Sequence, residues 1–218
     1  MIRKIFSLFG YTLSRPHKSV SIDEIIKLRL KYLPADILLD VGANKGTFTE
    51  YFKNQFKEYY LFEPNPNLVK YLKNNFKKNN YKILDFGTGK ANEKIMLNIT
   101  NDNGSSLSSI KEQTAELSKN FRNTNVTNKV EVEIKRLDFY LNNVGIKDKK
   151  IFLKIDTQGN DLETLIGLGS YIENVIFIKI EMPCINLYKS SYNHWDILDY
   201  LKKNNFKPVY FENISRAK

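Results

Sequence analysis

Asp36–Pro66, DILLDVGANKGTFTEYFKNQFKEYYLFEPNP, reads as strand, glycine-bounded turn, helix and second strand, and it closes on a carboxylate. Ile37–Val41 is a short, unbroken apolar-rich run. Such a run suits a strand buried on both faces of a parallel sheet, although periodicity alone also allows a helix. Gly42 and Gly46 bracket the turn, and Asn44 between them is one of the few non-glycine types that enters the left-handed region cheaply. Thr47–Phe56 sets Phe48, Tyr51, Phe52 and Phe56 at helical spacing on one apolar face. Glu63 follows the next strand, Tyr59–Phe62. Glycines let a backbone approach a ligand, and an opening helix offers free amides and positive dipole to an anionic group. A carboxylate roughly 20 residues past the first glycine can accept the hydroxyls of a ribose. The stretch therefore predicts a nucleotide site, with a plain strand–turn–helix and a surface Glu63 as the alternative.

Working outward, the remaining chain alternates strands and helices, which argues a doubly wound, mostly parallel α/β sheet with helices on both faces. Upstream, Ser21 and Glu24 stand at capping-box spacing before a helix over Ile22–Tyr32. Residues 1–35 form an N-terminal extension and helix packed on a main domain of residues 36–218. Met1–Leu13 has a basic start and a broken apolar run, too short to span a bilayer and without a cleavage site. It either packs on the domain or makes a peripheral membrane contact through Ile5, Phe6, Leu8 and Phe9. Downstream, Asn65 or Asn67 caps a helix reaching Phe76, and Tyr81–Phe86 is a third strand. Gly87-Thr88-Gly89-Lys90 lacks the earlier glycine and the hydroxyl residue of a phosphate loop. Lys94–Thr100 suggests an antiparallel excursion, Asn101–Ser106 is turn chemistry, and Lys129–Leu137 alternates as a half-wet strand. Ser108–Asn128 is polar and irregular, either a mobile substrate-side loop or only an insertion. Asp138 caps a short helix. The second informative run is Ile151–Gly169, with strand Ile151–Ile155, then Asp156, then a helix starting at Asn160 or Asp161. Val175–Glu181 is a further strand, Trp195 to about Asn204 a helix, and Phe206–Phe211 the last strand.

The 218 residues suit one main domain, and 42% hydrophobic with 27% charged residues is ordinary for a soluble globular chain. A single cysteine forms no intrachain disulfide, so a reducing compartment, the cytoplasm, is expected. The +10 formal charge favours anionic partners, yet the lysines are dispersed, as on a solvated surface.

In an open α/β sheet ligands lie beyond the carboxyl ends of the strands. Four such ends carry polar groups: Gly42–Gly46, Glu63, Asp156 and Glu181. The first two suit a nucleoside, and the latter two, with Lys154, Gln158 and His194, line the adjacent reaction space. The motifs Asp40–Gly46 (DVGANKG), Phe62–Pro66 (FEPNP), Gly104–Leu107 (GSSL), Leu153–Leu165 (LKIDTQGNDLETL) and Ile180–Glu181 together resemble the FkbM-type methyltransferases. That resemblance implies a Rossmann-like class I fold using S-adenosyl-L-methionine. The usual reaction is O-methylation of a sugar, glycan or other small hydroxylated natural product, as in polysaccharide biosynthesis. It implies that the Asp40–Gly46 motif, with Asp40, Gly42, Ala43, Asn44 and Gly46, holds the methionine end of the cofactor. Glu63 would hold the ribose, and Asp85, Phe86 and Gly87 would lie near the adenine. The chain departs from the pattern at Asp161, where the family more often shows Glu. A class I sheet also normally adds a seventh strand, whereas this sequence ends soon after Phe206–Phe211, which leaves the sheet edge and a homodimer contact open.

A hydroxyl acceptor loses a proton as it is methylated, so one base within hydrogen-bond reach is useful. Candidates are Asp156 and His194, then Glu181; each also has a bland reading, as a strand-end acid or a loop histidine. Lys154 orients acceptor or cofactor, or only packs its stem along the strand. Trp195 reads as a core residue at a helix start ahead of a sugar-stacking one. No His/Asp cluster has metal-ligand spacing, so no metal site is assigned, with metal assistance through Asp156 and Glu181 as the alternative. The rival readings are a nucleic-acid methyltransferase, a nicotinamide dehydrogenase and a non-catalytic cofactor-binding module. The first usually carries an Asn/Asp-Pro-Pro-aromatic turn where Asp156-Thr157-Gln158-Gly159 stands, so no nucleic-acid partner is expected. The second would show G-x-G-x-x-G.

Overall fold

The computed structural model describes residues 21–100, 107–182 and 185–210. The chain divides into two compact units, residues 1–32 with 208–218, and residues 33–207. In the first unit, helix α1 (Ile22–Tyr32) starts on the expected capping box: Ser21 N donates to Glu24 Oε2 at 3.0 Å, and Glu24 N donates to Ser21 Oγ at 3.2 Å. Met1–Leu13, with the proposed membrane contact, lies outside the described residues, as do Asn101–Ser106, Cys184 and Phe211.

The second unit is built on five parallel strands: β1 (Ile37–Val41), β2 (Glu58–Phe62), β3 (Tyr81–Leu84), β7 (Ile151–Ile155) and β8 (Val175–Ile180). Their order is β3-β2-β1-β7-β8. The chain runs outward from β1 through β2 to β3, then returns to the other side of β1, so the topological switch point falls between β1 and β7. Ile37, Leu39 and Val41 point to a core shared with helices α5 (Leu137–Val144), α6 (Asp161–Gly167) and α7 (His194–Lys203). On the opposite face, the rings of Phe48, Phe52 and Phe56 gather on Phe152 with centroids 5.8–5.9 Å apart. The strands are therefore buried on both faces, which is why β1 and β7 read as continuous apolar runs.

Between β3 and β7 the chain forms a second, three-stranded sheet, β4-β6-β5, from β4 (Gly87–Thr88), β5 (Glu93–Thr100) and β6 (Val126–Lys135). The antiparallel excursion is the β5–β6 ladder. The irregular Ser108–Asn128 segment contains one short helix, α4 (Ala115–Asn120). Helix α3 (Pro66–Asn75) is capped by Asn65, whose side chain accepts from Asn67 N.

Three elements differ from their expectation. Helix α2 covers only Thr47–Tyr51, because Tyr59 Oη accepts from Gln55 N and Phe56 N and donates to Phe52 O, drawing the chain out of helical geometry. Phe52 and Phe56 stay buried while Tyr51 is exposed, and a helix this short supplies little of the dipole expected at its start. The third strand of the main sheet stops at Leu84, and Gly87 joins the second sheet. Among the described residues Phe206–Tyr210 pairs with no strand; Phe206 packs on the core instead. Phe152→Ala is expected to lower unfolding free energy by about 3–5 kcal/mol, since the ring is enclosed by four others. Urea denaturation measures this, with Phe139→Ser at an exposed position as the silent control.

Candidate active site

Parallel register sets the chemistry side by side. Val41 lies opposite both Phe62 and Ile155, and Ile155 lies opposite Ile180. The next residue of each strand is then Gly42, Glu63, Asp156 or Glu181, so four adjacent strand ends deliver one glycine and three carboxylates to a single edge. Backbone bonds extend the ladder to these positions: Gly42 N and Ala43 N both donate to Phe62 O at 3.0 Å, and Asp156 N donates to Val41 O at 3.1 Å.

Gly42 is left-handed, with φ +70, and a Cβ on it would stand 1.9 Å from the Asp156 carbonyl oxygen. The glycine is required by that close approach of the two strand ends. Asn44 is also left-handed, with φ 52. Its N–H donates to Glu63 Oε2 at 2.8 Å, and Asn65 N donates to Glu63 Oε1 at 2.9 Å. Glu63 thus clamps the glycine turn to the start of α3. Burial pushes its carboxyl up to about 7, against the downward pull of the two amides.

Behind the turn, Asp40 and Lys154 face each other across β1 and β7. Lys154 Nζ is 3.1 Å from Asp40 Oδ1 and 3.7 Å from Asp156 Oδ2, and it donates to Gly42 O at 2.7 Å and Val41 O at 3.3 Å. Asp40 is fully buried and accepts from Thr49 Oγ1 at 2.7 Å. Burial works against the Lys154 charge, but the Asp40 and Asp156 carboxylates outweigh it and hold its pKa above the ordinary lysine value. Glu181 has the opposite balance. Its side chain still reaches solvent, but the protein around it strips part of its hydration, and this first and the Asp156 charge second push it up to about 7.

A cavity of about 330 Å³ opens at this edge. Gly42, Asn44, Glu63, Gly87, Asp156 and Glu181 line it. Phe62, Pro64, Leu68, Leu97 and Ile134 give it an apolar side. The other sequence candidates stand elsewhere. Asp40 and Lys154 sit behind the glycine turn, Ala43 is buried, and Gly46 is pressed under Phe76 and Leu72. Phe86 packs against Phe62 and Tyr140 in the core, and Asp85 faces solvent with Lys73 at 3.5 Å. His194 opens α7, behind an Asn193 capping box, and is not on the cavity wall. Trp195 is 68% exposed, so it is not the core residue expected. Among the described residues no group of three His, Cys, Asp or Glu could hold a metal ion, and no helix is long and apolar enough to cross a membrane.

Residues 40–208 match the family described as the methyltransferase FkbM domain. This chain belongs to that family. The crystal structure of methyltransferase FkbM from Methylobacillus flagellatus KT is similar to it at 14% sequence identity and a TM-score of 0.48. The likeness covers 78% of this chain and 36% of that one, so the chain spans well under half of its length. No curated protein sequence matches the chain significantly.

In this FkbM domain the start of the Ser108–Asn128 segment, one reading of which is a substrate-side loop, lies on the cavity wall, which includes Leu107–Ile110 and Leu187. Leu187 carried no signal in the sequence. Nor did the sequence signal the buried link between β4 and α6, in which Asn160 Nδ2 donates to Thr88 O at 2.7 Å and the Thr88 and Thr164 hydroxyls meet at 2.7 Å. Lys154→Met is expected to destabilise the domain by about 3–5 kcal/mol by leaving Asp40 charged and buried without its partner. Adding Asp40→Asn should recover much of the loss, as read from urea unfolding of the single and double variants.

Proposed function

We propose that this domain is an S-adenosylmethionine-dependent O-methyltransferase whose acceptor is a hydroxyl of a sugar, glycan or related small natural product. The observation that carries the reading is the row of four strand ends at the switch point, in a chain of the FkbM family. The residues present fit the cofactor. Each Glu63 oxygen accepts one backbone amide and keeps a lone pair for a ribose hydroxyl. Phe62, Pro64, Leu68, Leu97 and Ile134 offer an apolar slot suited to an adenine. Gly42 and Asn44 of the turn lie on the cavity wall, and Asp156 and Glu181 give the cavity the negative charge that a sulfonium requires.

When bound, S-adenosylmethionine supplies an electrophilic methyl group. The chain then has to hold an acceptor oxygen in line, exclude water and take up one proton. Asp156 and Glu181 are the acceptors of that proton, and Lys154 holds the Gly42 turn from behind. The cavity wall carries three carboxylates and no lysine or arginine among the described residues, which repels a phosphodiester chain and favours an uncharged acceptor. This supports the sugar-type acceptor over the nucleic-acid one, despite the basic surface.

Glu63→Ala is expected to weaken S-adenosylhomocysteine binding about 10-fold or more, the cost of hydrogen bonds to a charged group. Calorimetry reads it directly, and a wild-type domain that takes up no S-adenosylhomocysteine would refute the reading. Methyl transfer to a hydroxylated acceptor should rise with pH through about 7, as Glu181 loses its proton and becomes a base. Replacing it, Glu181→Gln, should remove that inflection from kcat at saturating S-adenosylmethionine, where Glu63, also near 7, acts on cofactor binding instead.

A further inference from the structure

Two segments distant in sequence zip together over the Asp156 loop. Thr114 N donates to Leu187 O at 2.9 Å and Lys189 N donates to Glu112 O at 2.7 Å, with Gln113 and Tyr188 bridged between them. From this pairing Tyr188 descends, nearly buried, onto Gly159, whose α-carbon is so close that a Cβ there would lie 3.1 Å from the Tyr188 side chain.

Gln158 is held at three points. Its carbonyl accepts from Ser109 Oγ at 2.7 Å, its Oε1 accepts from Tyr188 Oη at 2.9 Å, and its Nε2 donates to Asp156 Oδ1 at 2.7 Å. Its backbone is left-handed, with φ 53, a conformation a glutamine keeps only when its surroundings impose it. Tyr188 Oη also lies 3.1 Å from the Leu107 carbonyl oxygen, so its one proton is shared between that oxygen and Gln158 Oε1. The Asp156 carboxylate fixes the amide, because a flipped amide would set Oε1 against it.

We propose that Gln158 is a positioning residue, coupling the paired 107–114 and 185–190 segments to the orientation of Asp156. The relay occupies Asp156 Oδ1 and leaves Oδ2, the oxygen 3.7 Å from Lys154 Nζ, outside it. An acceptor that seats against Leu107–Ile110 and Leu187 would thereby be matched to a carboxylate aimed by the same wall. The inference deepens the methyltransferase reading and rests on it for the role of Asp156. The charged groups that act on this carboxylate are Lys154 from β7, Glu181 after β8 and Asp161 from α6.

The test is NMR at a single pH of the full chain with ¹³C-labelled aspartate and glutamate carboxyls, for wild type, Tyr188→Phe, Gln158→Met and the double variant. Gln158→Met removes the donor to Asp156 Oδ1, so the Asp156 carboxyl resonance should shift from its wild-type position. Tyr188→Phe should shift it less, and should add nothing in the Gln158→Met background. Gln158→Asn, which tolerates the left-handed backbone but is too short to reach, should match Gln158→Met and covers the case in which methionine fails to fold. The proposal is overturned by an Asp156 carboxyl resonance unmoved in both Gln158 variants, or by a Tyr188→Phe shift that persists undiminished without Gln158. S-adenosylhomocysteine calorimetry on the wild type separates the two levels. Failure to bind refutes the proposed function, whereas binding with no relay refutes only the positioning role.

Discussion

The structure depends on one buried cation. Lys154 Nζ sits where β1 and β7 diverge, against Asp40 and under the Gly42 carbonyl. Parallel strands that part at a switch point leave main-chain carbonyls turning away from the ladder, and each needs a donor. Lys154 supplies that donor for Val41 and Gly42 while its charge is met by Asp40. A neutral donor could satisfy the carbonyls but would leave Asp40 uncompensated at full burial. The glycine turn is thus set from behind by Lys154 and from the front by Glu63, whose carboxylate takes the Asn44 amide.

The same cation makes the acidic rim tolerable. Glu63, Asp156 and Glu181 crowd one edge, with Asp161 beneath them accepting from Thr157 N, Thr157 Oγ1 and Gly159 N. Like charges in a partly dry site disfavour simultaneous ionisation. Loss of hydration first, and the neighbouring carboxylates after it, push Glu63 and Glu181 up to about 7, so the rim sheds part of its charge near neutrality. An edge with that property suits a cationic ligand and a hydroxyl that must give up a proton, the two demands of O-methyl transfer from a sulfonium.

The second sheet gives the cavity much of its apolar side. Leu97 and Ile134 face the site from β5 and β6, and β4 is tied to α6 through Asn160 and the Thr88–Thr164 hydroxyls. Gly167 permits the contact, since a Cβ there would lie 2.0 Å from the Gly89 carbonyl oxygen. The second sheet, and with it the apolar wall, is therefore fastened to the helix that follows the Asp156 strand end.

Local sequence determined a good deal of this. The double burial of β1 and β7 is written in their unbroken apolar runs, the glycine turn in Gly42, Asn44 and Gly46, and the acid at each strand end in the residue after the run. These are properties of neighbours in the chain, set by propensity and period. The length of α2 was not legible, because it is cut by Tyr59, a residue of the following strand. Nor was the exposure of Trp195, the position of His194 off the cavity wall, or the loss of pairing at Phe206–Tyr210. The clearest case is Lys154. In sequence it is a lysine inside a strand, and only the register that sets it opposite Asp40 makes it the anchor of the site. Partners brought from separate strands and loops leave no periodic trace in any one of them, so the tertiary structure alone decided which polar groups meet.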